Sequence, residues 1–378
     1  MSTILIKWIR EDRLGKGDKM MLIQCTKKLL DELKVKPSEP VGEEPLFSWH
    51  ANLLTIHRRK TLVLMNNQNR YTIVLHGLKA KDWNHLSELI IQAIREVLTA
   101  ERIADEVVEQ YIQQLKEPIF TKTNNKSLIA RLNKSCENVY LFSDALTLSS
   151  IVQTEASLKV NRLLVGNGNN DFSKPQEEMY RDLQTWLGKP IFRLEAAEIK
   201  VTLQLHHYRV WRKLVVPLDM TFLQLHKVLQ IAFSWQDYHL HEFYVYNEET
   251  EKPIAHLVCD EEAFDYQTGV PMKLGKDAKL SDYFPAKFMY HYDFGDSWEH
   301  IIEVENMIDH YDCPYAVCLD GEGSAPPEDV GGESGYKQFL QIVSDPTHPE
   351  YQHMRNWGMY QGYQEFDMKL INRRLQLV

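Results

Sequence analysis

Apolar and polar positions along the chain change period several times, and each change predicts an element. Leu22–Cys25 reads as a short strand, and Thr26 then caps a helix whose apolar face is Leu29, Leu30 and Leu33. Thr61–Met65 and Tyr71–Leu75 are apolar runs of strand length, and Asn66–Asn69 between them predicts a hairpin turn. From Asp82 to Leu115 the spacing becomes helical: Leu86, Leu89, Ile90 and Ile94 recur at three and four, then Leu98, Ile103, Val107, Tyr111 and Ile112. A break near Thr99 makes this two packed helices rather than one rod. Ser127–Leu132 begins another short helical element. The polar stretch Asn161–Pro175, with Asn167-Gly168-Asn169-Asn170, reads as a linker. Residues 171–187 are again helical, which puts a boundary between 160 and 195.

The second half opens with strand alternation. Ile199–Leu205 and Trp211–Pro217 predict a strand pair, and Asp219 or Thr221 caps a helix with the face Phe222, Leu225, Val228, Leu229 and Phe233. His241–Tyr246 is the next strand. This hairpin–helix–strand order is that of a β-grasp start, by analogy of fold alone. Lys287–Tyr292 and Ser297–Val304 form a second hairpin around Phe294-Gly295-Asp296. Helices follow over 335–343, 349–354 and 366–375. The expected class is α+β in two domains: 21–165, a linker and helix over 166–190, and 191–378.

Composition narrows the choices. The 378 residues exceed what one core usually serves, and 44% hydrophobic with 25% charged residues fits a globular protein. The net charge of -10 argues against a broad basic surface wrapping duplex DNA. There is no 18-residue apolar run to span a membrane, and the charged opening residues lack the apolar core of a secretory signal. Five cysteines, few and odd in number, fit a reduced, cytoplasmic setting.

Motifs then carry a resemblance. Tyr208–Lys213 with Val216-Pro217, Thr221–Gln230, Phe233-Ser234-Trp235, His239–Phe243, Tyr292–His300, Pro326–Gly332 and Gly335-Tyr336 occur in an order that resembles the plasmid pRiA4b ORF-3-like family. Members are also labelled as the passenger TnpR family of the IS1096 element. The resemblance covers about 190–375 and implies an α+β domain linked with mobile elements, without an established activity. Relatives carry cysteines around the Pro-Pro-Glu-Asp segment where this chain has Ala325 and Val330, so a cysteine–zinc centre is not implied here. The first half resembles the DUF6933 family through Ile23–Leu30, Trp49–Leu53 and Arg59–Asn66, over about 21–165. That match implies that Met1–Met20 is an extension.

Candidate chemistry gathers in the second half. Asp293 and Asp296 flank Gly295 at a hairpin tip, where carboxylates either accept turn N–H groups or hold a divalent cation. His300 is a nitrogen ligand or base, on the strand face of Trp298 and opposite Glu299. His239 and His241, two apart, share a strand face if the strand continues through both; Asp237, Glu242, Asp293 and His300 are the remaining ligand candidates. Cys313 and Cys318, with His310 or His291, make a loose zinc hook lacking its second pair, and a buried free Cys318 is the plainer reading. Glu322, Glu328 and Asp329 lie in a loop stiffened by Pro326-Pro327. Arg209, Arg212 and Lys213, beside Tyr208 and Trp211, form a small basic group that is either a surface for single-stranded nucleic acid or ordinary strand charge around a Trp211 core anchor. Arg58-Arg59-Lys60 in the first half offers the same two readings, with ordinary surface charge the plainer one. Walker, Gly-x-Ser-x-Gly, His-Glu-x-x-His and dinucleotide fingerprints are absent from the sequence.

Two functions follow as expectations. The first is a binding or accessory module, tied to mobile DNA or defence by resemblance, with its contact surface on 290–300 and 319–332 and a protein or single-stranded nucleic acid as partner. Trp49, Trp83, Trp235 and Trp357 are its candidate anchors, each also suited to a core. The second is a metal-dependent hydrolase of a phosphodiester or nucleotide. There His239, His241, Asp293, Asp296 and His300 would hold the metal, and Glu328 would carry the proton, with His300 as the other catalytic candidate.

Overall fold

The computed structural model describes residues 21–38, 42–115, 118–168, 171–247, 252–266 and 269–376. The expected extension over Met1–Met20 lies outside the described residues. The chain divides into two compact units, the second beginning at Phe192, and each combines helices with strands as an α+β protein.

The first unit begins with β1 (Leu22–Cys25), α1 (Lys27–Leu33), β2 (Ser48–Ile56), β3 (Arg59–Asn66) and β4 (Thr72–Leu78). Next come α2 (Leu86–Ala100), α3 (Asp105–Gln114), β5 (Ile119–Lys122), α4 (Lys126–Leu141), α5 (Thr154–Asn161), a ribbon of β6 (Val165–Gly168) and β7 (Asp171–Ser173), and α6 (Pro175–Leu187). The sheet order is β4-β3-β2-β1-β5, with β1 parallel to both neighbours. Consecutive residues Leu62–Met65 are all buried because helices cover the sheet, which explains their unbroken apolar run. Strand β2 escapes the patterning because His50 and Asn52 interrupt its apolar positions. His50 is nonetheless buried, bonded through Nδ1 to Asn67 Oδ1 at 2.7 Å. The predicted break near Thr99 is the α2–α3 turn, where Arg102 takes a φ of 64° in the left-handed region. The turn buries Glu101, which accepts from Tyr71 Oη (2.9 Å), Tyr180 Oη (2.8 Å) and Gln176 Nε2 (2.7 Å). Within the expected linker lies the β6–β7 ribbon, and Trp186 of α6 packs edge-on to Phe47 and Tyr111.

The second unit contains β8 (Leu194–Leu203), β9 (Val210–Pro217), α7 (Phe222–Phe233), β10 (His241–Tyr246), β11 (Pro253–Val258), β12 (Met272–Leu274), β13 (Lys287–Tyr292) and β14 (Trp298–Tyr311). It closes with β15 (Val317–Glu322), α8 (Gly332–Ser344), α9 (Tyr351–Tyr360) and α10 (Met368–Leu375). Eight strands form one sheet in the order β12-β11-β10-β13-β14-β8-β9-β15. The hairpin–helix–strand succession is present as β8–β9, α7 and β10, but β14 and β13 lie between the hairpin and β10. Thr221 caps α7 with a reciprocal pair of bonds to Gln224. The expected face of α7 is buried against Phe243, Phe288, Tyr290, Tyr292 and Ile302. Alternation leaves Glu242, Tyr244, Met289 and His291 on the other side of β10 and β13, half-buried. No described helix is long and apolar enough to cross a membrane.

Candidate functional site

The turn between β13 and β14 is specified by Asp293. Its backbone takes φ 56°, and its Oδ1 accepts from Gly295 N (3.0 Å) and Asp296 N (3.3 Å). Only Oδ2 faces away from the turn, and it lies 3.5 Å from His239 Nε2. The turn-forming and ligand readings of Asp293 therefore coexist, one on each oxygen.

The segment joining α7 to β10 carries His239 and is held by side-chain acceptors. Gln236 N donates to Glu328 Oε1 (2.7 Å), Asp237 N to Gln230 Oε1 (2.8 Å) and Tyr238 N to Tyr292 Oη (3.1 Å). The opposing loop, 323–332, is equally pinned. Trp235 Nε1 donates to Pro326 O (2.9 Å), Glu328 N to Gln361 O (3.0 Å), and Gly331 N to Asp296 Oδ2 (3.0 Å). Gly323 has φ 78°, and a Cβ there would sit 2.2 Å from Arg209 O, so only glycine fits. From this loop Asp329 Oδ1 reaches His239 Nε2 at 2.9 Å, while Gln361 Nε2 donates to its Oδ2 at 3.1 Å.

His239, Asp293 and Asp329 thus bring one donor atom each to within 4.8 Å of one another, from three separate segments. Adjacent ligands at about 2.1 Å from an ion stand roughly 3.0–3.4 Å apart in octahedral or tetrahedral coordination. The separations from His239, 2.9 and 3.5 Å, bracket that range. Without a cation, Nε2 has at most one hydrogen to offer to two carboxylates.

Glu328 precedes Asp329 in the same loop. Its side chain is fully buried, Oε1 accepts from Tyr292 Oη (2.9 Å) as well as Gln236 N, and Oε2 has no partner among the described residues. Burial raises its carboxyl above the ordinary value against these bonds.

The five metal candidates do not form one site. His239 precedes β10, so it does not share a strand face with His241. His241 turns inward and stacks on His226 with ring centroids 3.5 Å apart and planes 5° apart. Burial, with His226 beside it, brings His241 down to about 3. His226, His241 and Asp237 also place donor atoms within 4.8 Å. However, His226 already engages Tyr290 Oη and Asp237 Oδ1, each at 2.8 Å. A ligand metal lies near the plane of its imidazole, because the nitrogen lone pair does; two rings stacked face to face cannot both meet that requirement. His300 is fully buried among Phe233, Trp235 and Tyr290, and burial brings it down to about 3. It is a neutral core histidine that belongs to neither cluster, and Asp296 is a strut holding the loop at Gly331.

The basic group is likewise redistributed. Arg212 is 2% exposed and donates to the carbonyls of Trp211, Ala232, Glu322 and Gly323, so it is internal rather than surface. A full shift to the interior follows from strand alternation, which turns Arg212 toward the core side. Lys213 pairs with Glu198 and Glu305, Glu322 accepts from Trp211 Nε1 (3.0 Å), and Arg209 is exposed. Cys318 is buried, with its thiol raised to about 11 by burial; neither it nor Cys313 belongs to a ligand cluster among the described residues. Trp49 and Trp235 are buried core residues.

Sequence reasoning overlooked His226, the ring on which His241 stacks. Its signal was a histidine on the apolar face of α7. Gln361 carried no comparable signal, because only folding brings it to Asp329.

An α+β unit with an imidazole–carboxylate cluster at the rim of an eight-stranded sheet is the class of protein so defined. The chain belongs to the plasmid pRiA4b ORF-3-like protein family, whose model matches residues 195–374, and a domain of unknown function, DUF6933, matches 22–178. It is 33% identical over 174 residues to the uncharacterized protein y4hQ of Sinorhizobium fredii (strain NBRC 101917 / NGR234), covering 46% of this chain and 84% of that one. It is also similar to the crystal structure of MM3350, a protein of unknown function from Methanosarcina mazei Go1. There the identity is 32%, the TM-score 0.40, and the coverage 47% of this chain and 97% of that one.

Proposed function

We propose that the second unit is an accessory binding module that uses a divalent cation as a clasp. His239, Asp293 and Asp329 hold the ion and so join the 293–297 turn to the 326–332 loop. The convergence of three donors within 4.8 Å carries this reading. One imidazole and two carboxylates suit zinc or manganese. Three protein ligands leave coordination positions for water or for an anionic group of a partner, and exposed Asp329 puts them at the surface.

The test is calorimetric titration of chelator-stripped full-length protein with zinc and with manganese. One ion per chain is expected, with affinity at least about tenfold weaker in Asp293→Asn and Asp329→Asn. Asn tolerates the left-handed backbone at 293 and keeps an oxygen for the turn. Asp296→Asn, a strut variant, retains binding. Absence of stoichiometric binding, or undiminished binding in the Asp293→Asn/Asp329→Asn double variant, refutes the clasp.

The unpartnered Oε2 of Glu328 favours a second reading, a metal-dependent hydrolase of phosphodiesters with Glu328 as proton carrier. Metal-dependent turnover of bis(p-nitrophenyl) phosphate, lost in Glu328→Gln with the metal retained, supports it; metal binding without turnover leaves the accessory role.

A further inference from the structure

On the sheet face opposite α7, β10 and β13 pair Glu242 directly with His291. The two side chains bond through Oε1 and Nδ1 at 3.2 Å. The other ring nitrogen, Nε2, lies 3.1 Å from Ser297 Oγ. We propose that Ser297, His291 and Glu242 form a nucleophile–base–acid relay that hydrolyses uncharged carboxylic esters, an activity separate from the cation clasp.

The argument rests first on tautomer. His256 Nε2 lies 2.7 Å from Glu242 Oε2, so each oxygen of one carboxylate meets an imidazole nitrogen. An ionised carboxylate only accepts, so the proton of His291 resides on Nδ1 and its Nε2 is left as acceptor. That nitrogen faces the serine hydroxyl, the disposition a general base requires. Burial alone would raise Glu242, but the bonds from His256 and His291 outweigh it, and the carboxyl falls to about 2. Glu242 is therefore ionised at neutral pH and can stabilise an imidazolium.

The second support is the backbone. Ser297 is exposed and sits at φ 59°, directly after the Asp293–Asp296 turn, with its N–H donating to Asp293 O at 2.6 Å. A non-glycine residue held there costs about 1 kcal/mol or more, a strain that clusters at functional positions. Gly295-Asp296-Ser297 resembles half of a nucleophile elbow, on a strand–turn–strand rather than a strand–turn–helix. Phe294, half-exposed, places its ring 5.0 Å from that of His291 and gives an apolar group somewhere to rest. Carboxylates at Glu242 and exposed Glu299, the cross-strand neighbours of His291, disfavour an anionic substrate.

In the first step Ser297 Oγ bonds to the ester carbon as its proton passes to His291 Nε2. The C–O bond to the alcohol then breaks, and the alkoxide takes that proton. Water attacks the acyl-serine, gives a proton to Nε2, and the acid departs as Oγ regains it. Ester and water become acid and alcohol, with no redox change. Ser297 and His291 are the catalytic residues; Glu242 is a positioning residue.

The experiment treats full-length protein with a fluorophosphonate probe, maps the adduct by peptide mass, and follows p-nitrophenyl butyrate hydrolysis with and without EDTA. An adduct on Ser297 and EDTA-insensitive hydrolysis are expected. Both should disappear in Ser297→Gly, which suits the positive φ and so keeps the turn. His291→Asn should lower the rate about 100-fold or more. Glu242→Gln should lower kcat with KM unchanged, whereas damage to the turn alone would raise KM. No adduct, an adduct elsewhere, or labelling that survives in Ser297→Gly overturns the proposal. Hydrolysis is read in EDTA and the clasp by metal titration, so this relay and the cation clasp fail or stand separately.

Discussion

Replacing Arg212 by methionine tests whether a lone buried cation holds the second unit together. The guanidinium is 2% exposed and has no carboxylate partner among the described residues. Nε donates to Ala232 O (2.8 Å), Nη1 to Trp211 O (2.8 Å) and Glu322 O (2.9 Å), and Nη2 to Gly323 O (2.9 Å). Its carbon lies over the rings of Phe233 (5.0 Å) and Phe366 (4.5 Å). Bonds from a charged donor contribute at least about 1.5 kcal/mol each, so the four together are worth about 6 kcal/mol. Burial pulls the guanidinium down to about 10 from the ordinary arginine value, which sets a desolvation cost of about 3 kcal/mol against them. About 3 kcal/mol remains, and the two rings add about 1–2 kcal/mol. Arg212→Met should therefore destabilise the second unit by about 3–5 kcal/mol. Arg212→Lys keeps the charge but not the planar fork, so it should cost about half as much. Urea titration of the intact chain, read by hydrogen exchange of β8, β9 and α7 peptides, isolates this unit. A loss below about 1 kcal/mol in Arg212→Met would refute the reasoning and mean that water satisfies the abandoned carbonyls.

Other outcomes follow from buried titratable groups. His300 has a folded pKa of about 3 against an ordinary value near 6.5, so its stabilising effect is complete above about 6.5 and is lost as pH falls toward 3. In His300→Leu, the second unit should lose about 1–2 kcal/mol less than the parent between pH 6.5 and 5, by unit-resolved urea unfolding; equal slopes would exclude a neutral core histidine. In the first unit, Glu101→Ala strands the hydroxyls of Tyr71 and Tyr180 and should cost about 3–5 kcal/mol. Glu101→Gln keeps an acceptor and should cost less, both read by hydrogen exchange of β4 and α6 peptides.

How far the site was legible depended on the range of the interactions that built it. The 293–297 turn was readable because Asp293 and Gly295 are neighbours and turn chemistry is local. Strand alternation correctly put Trp298 and His300 on one face and Glu299 on the other, but it could not say that this face was core. His239 and His241 appeared paired only while the strand was assumed to begin early; starting it at His241 sends the rings to different clusters. Arg212 looked like surface charge because basic residues usually are, and four carbonyl acceptors come from segments up to 111 residues away.

The sequence by itself determined the periodic elements, the α+β class, the capped face of α7 and the family to which the chain belongs, because periodicity, caps and ordered motifs are written locally. Tertiary structure alone decided which polar residues meet. The order of eight strands brings Glu242 beside His291, and the pinned 323–332 loop brings Asp329 to His239 across 90 residues of chain. Strand pairing and loop docking join groups whose separation along the sequence carries no signal of their distance in space.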